Sequence, residues 1–403
     1  MLARLPLSIW FPIAVFALTR LVDALFILIA SRHQIALTTS DVYYIHTPTP
    51  ANPGYWSVIT NWDGQWYERI ASDGYPAPDN SVGPEAVSAG HTFNFLPLFP
   101  LLVGGLMAIT GLGFAPAASI VSLTCGAAAM VVLFKVIEHT AGRFAACAGV
   151  ALVNTFVSAP VMQVAYKESL VLFLLLLWFW WVQRRRYWWA VVAVLALAFA
   201  KQLTPPMALV IAAHAWHRWR HRSSEPIKRR EWLGMVAILT ASAAGLFAWD
   251  TLVRIWLGGG ADHVVARTRG LADPGRSLGA FSQFYEAGGF LGLAFPVLAV
   301  VALIVYARSA LTRSWGTELR TWLWAYPSFI LAGSNVAPAT LRYLLPAFPM
   351  ALLVVGSPAP GTIPRLRVWL VVACCIVGLA SQWWWIDTLL IVRQLLPPTP
   401  FVP

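Results

Sequence analysis

Long uncharged apolar runs, separated by short basic or polar stretches, set the pattern along this chain. The first lies within residues 1–32, is long enough to span a bilayer and carries no small-residue cleavage site, so it reads as an uncleaved first helix. Further spans are expected near 114–137, 144–162, 166–182, 188–201, 205–217, 231–256, 289–307, 317–333, 341–356 and 367–388. Two of them, 188–201 and 205–217, hold roughly 14 residues each against the ~20 that an upright span needs. Between them runs Lys201-Gln202-Leu203-Thr204-Pro205-Pro206. Proline removes a donor and pushes the preceding residue out of helical geometry, which predicts a tight helical hairpin with a broken tip. Broken backbone at that depth needs burial in protein or an aqueous cavity.

The stretch 95–111 is apolar but holds Pro97, Pro100, Gly104 and Gly105. Charge decides its course. If it does not cross, the clusters at Arg184–Arg186, Arg218–Arg230, Arg308/Arg313/Arg320 and Arg365/Arg367 share one side with Arg4, as the positive-inside rule requires. The expectation is therefore an all-α polytopic membrane protein with about 11 transmembrane helices, and 95–111 as an interfacial or re-entrant segment. Residues 1–403 form a single integral domain, with a first extracytoplasmic loop at 31–94 and a second at 258–288. Short interfacial helices belong to the first loop.

Composition agrees with this class. Of 403 residues, 59% are hydrophobic and 11% charged, where a soluble chain is about one-quarter charged. Soluble enzymes, disordered regulators and disulfide-stapled secreted domains are excluded. The formal charge of +11 comes from 28 basic and 17 acidic residues. Under this topology roughly 17 of the 28 basic residues lie inside, with Glu138, Glu225, Glu231 and Glu318 the acids there. The excess reads as topogenic, not as a nucleic-acid or lipid-headgroup patch. Cys125, Cys147, Cys374 and Cys375 all fall in apolar segments, and no zinc spacing is present.

The candidate chemistry sits in the first loop, in Thr60-Asn61-Trp62-Asp63-Gly64-Gln65-Trp66-Tyr67-Glu68-Arg69-Ile70-Ala71-Ser72-Asp73-Gly74-Tyr75-Pro76. Asn61 is a good N-cap, and Gly74 followed by Pro76 a helix stop. A short helix rich in Trp and Tyr suits the interface plane. Asp63 falls in its first turn, beside indoles. Partial burial makes such a carboxylate a better proton acceptor, and the helix N-terminus opposes this. Spacing alone is equally served by Asp63 as a helix-start residue with tryptophan anchors around it.

Trp62-Asp63-Gly64 with Trp66-Tyr67, Ile70-Ala71 and Gly74-Tyr75 resembles the first-loop signature of the phosphatidylinositol-glycan class V mannosyltransferases and their bacterial relatives. Phe95-Leu96-Pro97-Leu98-Phe99-Pro100 resembles that family's Phe-Pro-Leu-Tyr-Pro element. Ala165-Tyr166-Lys167-Glu168-Ser169-Leu170 resembles its Ala-Tyr-Thr-Glu-Ser-Leu stretch, with Lys167 in place of Thr, and Leu341-Arg342-Tyr343-Leu344-Leu345-Pro346 its late Arg-Tyr-x-x-Pro element. Ala200–Pro205 matches a Thr-Arg-x-x-Gly pattern weakly. The resemblance implies a glycosyltransferase C fold, a polyprenyl-phosphate mannose donor used on the extracytoplasmic face of the plasma membrane, and Asp63 as catalytic base. It implies a lipid or glycolipid acceptor. Because phosphate is already a good leaving group, no cofactor is required, and a divalent metal is possible but not indicated.

Phosphate partners are sought among Lys201, Arg342 and His91. Lys201 also reads as a snorkelling side chain, Arg342 as a topological anchor and His91 as an incidental loop residue. Lys167 and Glu168 diverge on a helix, and each needs its own partner, on the substrate or in the structure. Trp62, Trp66, Tyr67 and Tyr343 complete the expected binding residues. Arg20 and Asp23, three apart in the first span, are expected to pair structurally. Alternatives are the same machinery with another lipid-linked sugar, such as arabinofuranose or glucose, and a lipid-linked-sugar flippase. The chain shows no internal repeat of the kind common in transporters.

Overall fold

The computed structural model describes residues 6–38, 45–76, 91–258, 279–356 and 365–394. Among these the structure is helical, with one isolated antiparallel bridge, Leu37–Thr49. Helix α1 (Leu7–Ala30) shows why the chain needs an apolar solvent. One side packs Phe16 and Ile27 inward, while Leu18, Leu21 and Leu25 on the other are 65%, 69% and 55% exposed. Its polar residues face inward. Arg20 pairs with Asp23 at 3.0 Å, as expected, and donates to the carbonyls of Asn154 (3.0 Å) and Ala159. A buried charge partnered in this way is the tolerable arrangement within a membrane.

After two short first-loop helices, α2 (Gly54–Val58) and α3 (Asp63–Asp73), comes α4 (Leu98–Thr110). At 13 residues it is about 20 Å long, too short to cross a ~30 Å hydrocarbon core upright. Helix α5 (Phe114–Asn154) runs for 41 residues but breaks at Gly142, whose φ of 85° suits glycine. Its two arms are the two spans expected at 114–137 and 144–162. The second stops at Asn154, and a 3-10 turn at Ala159–Met162 follows.

Helices α6 (Glu168–Gln183), α7 (Tyr187–Ala198) and α8 (Pro205–Arg220) form the packed centre with α5 and α12 (Gly316–Gly333). Trp178, Phe179 and Trp322 are fully buried there. A polar string crosses the same region: Tyr187 Oη meets His214 Nε2 at 2.9 Å, and His214 Nδ1 meets Glu318 Oε1 at 2.5 Å. Helices α9 (Arg229–Ala244) and α10 (Ala248–Leu257) meet at a 61° bend. Helix α11 (Gly279–Arg308) breaks at Gly288–Gly289. A five-residue α13 (Ala339–Tyr343) precedes α14 (Arg365–Trp385), which ends in a π turn at Ile386–Leu390.

The span expected at 341–356 is corrected. Pro346 and Pro349 withhold backbone donors, and the segment is α13 followed by a 3-10 turn at Phe348–Leu353. Four helices (the first with its following turn, α5, α11 and the last with its π turn) are long and apolar enough to cross a membrane, or five if α9 and α10 form one bent span. The remaining expected spans are helices of 12 to 18 residues. The chain is an all-α membrane protein. Much of the expected first and second loops, 39–44, 77–90 and 259–278, lies outside the described residues.

Candidate functional site

The site begins at an unusual turn. Trp62, which precedes α3, holds φ 57° and ψ −116°, a backbone region that costs a non-glycine residue of order 1–3 kcal/mol. Its neighbours over-determine it. Trp62 Nε1 donates to Leu390 O at 3.0 Å, and Asn61 Nδ2 donates to the same carbonyl (3.0 Å) and to Gln34 Oε1 (2.8 Å). The expected Asn61 cap is thus corrected: its amide is spent on the end of the last helix. Asp63 becomes the first residue of α3.

Two other segments are fastened to this turn. The Tyr166 hydroxyl donates to Asn61 O at 3.1 Å and Ala165 N–H to Ile59 O at 2.9 Å, which fixes Lys167 and Glu168 at the head of α6. Ser122 on α5 supports the same stretch by donating to Val164 O at 2.9 Å. Arg342 and Tyr343 on α13 are placed by Tyr326, which donates to Tyr343 O at 2.6 Å, and by Ser158, which donates to Leu341 O at 2.9 Å. Lys201 comes from the break between α7 and α8, the hairpin tip expected from the prolines.

These pieces meet. Arg342 Nη1 lies 2.6 Å from Asp63 Oδ2 and 4.0 Å from Glu168 Oε1. Lys201 Nζ lies 3.5 Å from Glu168 Oε1 and 4.3 Å from the Tyr343 ring centroid. The Arg342 guanidinium also stands 5.1 Å from the Tyr166 ring and 5.3 Å from that of Tyr343. Asp63, His91, Lys167, Lys201, Arg342 and Tyr343 line one cleft of about 310 Å³, with Glu168 buried behind it. Lys167 and Glu168 do diverge: the lysine faces the cleft and the carboxylate turns to Lys201.

Three lysine and arginine charges therefore surround two carboxylates. Lys201 Nζ reaches only the 3.5 Å contact to Glu168, and Arg342 Nε has no hydrogen-bond partner among the described residues. Both cations have a carboxylate partner but keep donor capacity to spare, and an anion entering the cleft can use it.

Trp62, Trp66 and Tyr67, expected among the binding residues, are not in the lining of this cleft. Trp62 anchors the turn. Trp66 stacks on Phe95 at 5.7 Å and stands 4.6 Å from His91, so it backs the cleft wall. Tyr67 is buried between Phe95 and Phe99, at 5.2 and 5.1 Å. Burial first, then the nearby Asp63 and Glu168 charges, pushes its phenol well above the ordinary value, so it stays neutral.

The lining also includes Asn94, Gln202 and Ser334 with Phe95, Leu96, Phe329 and Ile330. Gln202 was readable as the neighbour of Lys201 in the broken tip. Asn94, 3.0 Å from His91 Nδ1, and Ser334 carried no signal in the sequence.

No protein-family model matches the chain, and no curated protein matches it in sequence. Among solved structures it is similar to ArnT from Cupriavidus metallidurans bound to undecaprenyl phosphate, at 14% identity and a TM-score of 0.47, over 92% of this chain and 75% of that one. It is similar also to the oligosaccharyltransferase AglB from Archaeoglobus fulgidus in complex with an inhibitory peptide and a dolichol-phosphate. There the identity is 11% and the TM-score 0.49, over 94% of this chain and 56% of the other. The chain thus spans little more than half the length of the archaeal protein.

Proposed function

We propose that this protein is an integral-membrane glycosyltransferase of the C class that moves a mannosyl residue from a polyprenyl-phosphate donor to a lipid or glycolipid hydroxyl. The observation that carries this reading is the pairing of one cleft carboxylate, Asp63, with cationic donors on Lys201 and Arg342 that lack full hydrogen bonds. Such a cleft suits a phosphate leaving group beside a proton acceptor. The family resemblance of the Trp62-Asp63-Gly64, Lys167-Glu168 and Arg342-Tyr343 segments supports it, since those segments converge on this cleft.

The proposed reaction is an inverting displacement at the anomeric carbon. The acceptor oxygen attacks the anomeric carbon, the bond from that carbon to the phosphate oxygen breaks, and the electron pair leaves with the phosphate. Lys201, Arg342 and Lys167 stabilise the departing charge. Asp63 takes the proton lost by the acceptor. Attack opposite the phosphate inverts the centre, so a β-linked donor yields an α-linked product. Arg342 has two duties here. It holds Asp63 Oδ2 at 2.6 Å, and a donor phosphate that recruits this guanidinium frees Oδ2 to receive the proton.

Membranes containing the protein, supplied with polyprenyl-phosphate mannose and a lipid acceptor extract, test the reading. Transfer is expected, and Asp63→Asn is expected to abolish it with expression unchanged. Parallel donors carrying glucose or arabinofuranose test the sugar. The charge asymmetry of the loops supports an extracytoplasmic position for the cleft, in the plasma membrane on this reading. Ala51→Cys is expected to react with an impermeant thiol reagent in intact cells and Ser223→Cys to be protected; the reverse pattern overturns the placement.

A further inference from the structure

The basic clusters at 184–186 and 218–230 were read from sequence as topogenic charge only. The structure does something more specific with four of these residues. The loop between α6 and α7 brings Arg185 and Arg186, and the start of α9 brings Lys228, its N-cap residue, and Arg230, in its first turn, to one cleft of about 350 Å³. Tyr187, Trp188, Trp189 and Glu231 complete it. From this geometry we propose that the cleft is a binding site for the phosphate head group of an anionic phospholipid, at the end of α7 away from the catalytic cleft.

Charge bookkeeping within the cleft comes first. Arg218, packed behind, holds Glu225 at 3.1 Å and Glu231 at 3.2 Å, and Arg185 also pairs with Glu225. The second Glu231 interaction is a 3.0 Å hydrogen bond from the Lys228 backbone N–H. Both acids are committed. Arg186, Lys228 and Arg230 have no acidic partner among the described residues, so three like charges share one small concavity. Arg185 is held there at φ 58°, a left-handed conformation uncommon for arginine.

A second observation separates a lipid from a soluble phosphate. Trp188 and Trp189, on the rim, are 44% and 57% exposed, and Trp181 stands 5.9 Å from Trp189. Indoles with their edges uncovered belong at the level of lipid head groups. Tyr187 makes the floor rigid, since its hydroxyl is tied to His214 at 2.9 Å. Basic concavities between membrane helices, on the side with excess positive charge, match the chemistry of anionic head groups.

The two clefts are at opposite ends of one helix. Helix α7 starts at Tyr187 in the basic cleft and ends at Ala198, three residues before Lys201 in the catalytic one. Twelve residues at 1.5 Å each place them about 18 Å apart along its axis. The inference does not depend on the sugar or acceptor proposed above.

Purified protein in a neutral detergent is the test, because orientation in a membrane then plays no part. Native mass spectrometry with added phosphatidylglycerol or phosphatidylcholine reads lipid retention, and thermal unfolding verifies the fold. Wild type is expected to retain phosphatidylglycerol selectively. Arg186→Gln/Lys228→Gln/Arg230→Gln is expected to weaken that retention about 100-fold, the loss of three basic side chains at an anionic head group, with an unchanged melting temperature. If that variant unfolds, Arg186→Lys/Arg230→Lys replaces it: selectivity kept supports the site, selectivity lost overturns a charge-based site. Equal retention of both lipids, or undiminished retention in the folded triple variant, overturns the proposal. Displacement of the lipid by glycerol 3-phosphate at equal concentration overturns the lipid assignment in favour of a soluble phosphate.

Discussion

Arg342 reaches Asp63 at 2.6 Å while standing 4.0 Å from Glu168, so one guanidinium answers two carboxylates brought in by the first loop and by the head of α6. Removing one member of such a buried set leaves charge uncompensated. Arg342→Ala is expected to lower stability by about 3–5 kcal/mol. Asp63→Asn/Arg342→Gln is expected to recover part of that loss with no recovery of transfer. Melting temperature in detergent, followed beside turnover, distinguishes the two roles; parallel recovery of both would argue that the pair is structural alone.

Lys201→Met tests the phosphate cradle. A charge-assisted hydrogen bond contributes about 1.5–3 kcal/mol, so donor KM is expected to rise about tenfold or more. Lys201→Arg is expected to keep part of the affinity. A donor KM unchanged in Lys201→Met would leave this lysine as a partner of Glu168 only.

Two adjacent glycines on α4 are expected to behave oppositely. A methyl group at Gly104 would meet the Ala71 carbonyl oxygen at 3.0 Å, where α4 packs on α3, whereas one at Gly105 meets nothing within 4 Å. Gly104→Ala should destabilise and reduce transfer by displacing α3. Gly105→Ala should be neutral or gain up to about 1 kcal/mol from helix propensity. Paired thermal melts decide it.

Trp62→Phe keeps a ring but loses the 3.0 Å bond to Leu390 O. A loss of about 1 kcal/mol in stability is expected, with a larger fall in turnover because the left-handed residue aims Asp63. Equal turnover in the mutant would show that the turn holds without its indole anchor.

Glu68 supplies a pH dependence. It accepts a 2.9 Å hydrogen bond from Thr47, yet burial outweighs that bond and pushes its carboxyl above the ordinary value. The folded chain therefore holds this proton more tightly than the unfolded chain does. Its contribution is full below the unfolded value of about 4.3 and is lost as pH rises through the raised folded one. Melting temperatures of wild type and Glu68→Gln from pH 4 to 7 are expected to converge at the acidic end, with wild type falling behind as pH rises. A constant offset would assign Glu68 no titrating role.

Periodicity and charge made much of the fold legible. The first helix, the two arms of α5 on either side of residues 138–143 and the broken tip at Lys201 all follow from apolar runs and prolines. The missing helix at 341–356 was not legible, because its apolar residues look like a span, and only the packing of Pro346 and Pro349 shows otherwise. Within the site, titratable residues in apolar surroundings stood out, hence Asp63, Lys167, Glu168, Lys201 and Arg342. Their pairing did not, since the Arg342 approach to Asp63 depends on long-range packing. The structural ties of the tryptophans were equally hidden: Trp62 bonds Leu390 O and Trp66 stacks on Phe95, both set by long-range packing.

The anchoring of Asn61 and Trp62 on the carbonyl of Leu390 bears on the order in which the working protein is assembled. During synthesis the first loop emerges long before residue 390, and Glu168 enters long before Arg342. The shared cation, Arg342 on α13, emerges before the last helix, whereas the latch on Leu390 follows it. The first-loop turn is thus completed by a segment more than 300 residues away in the chain, and truncation before Leu390 removes its anchor.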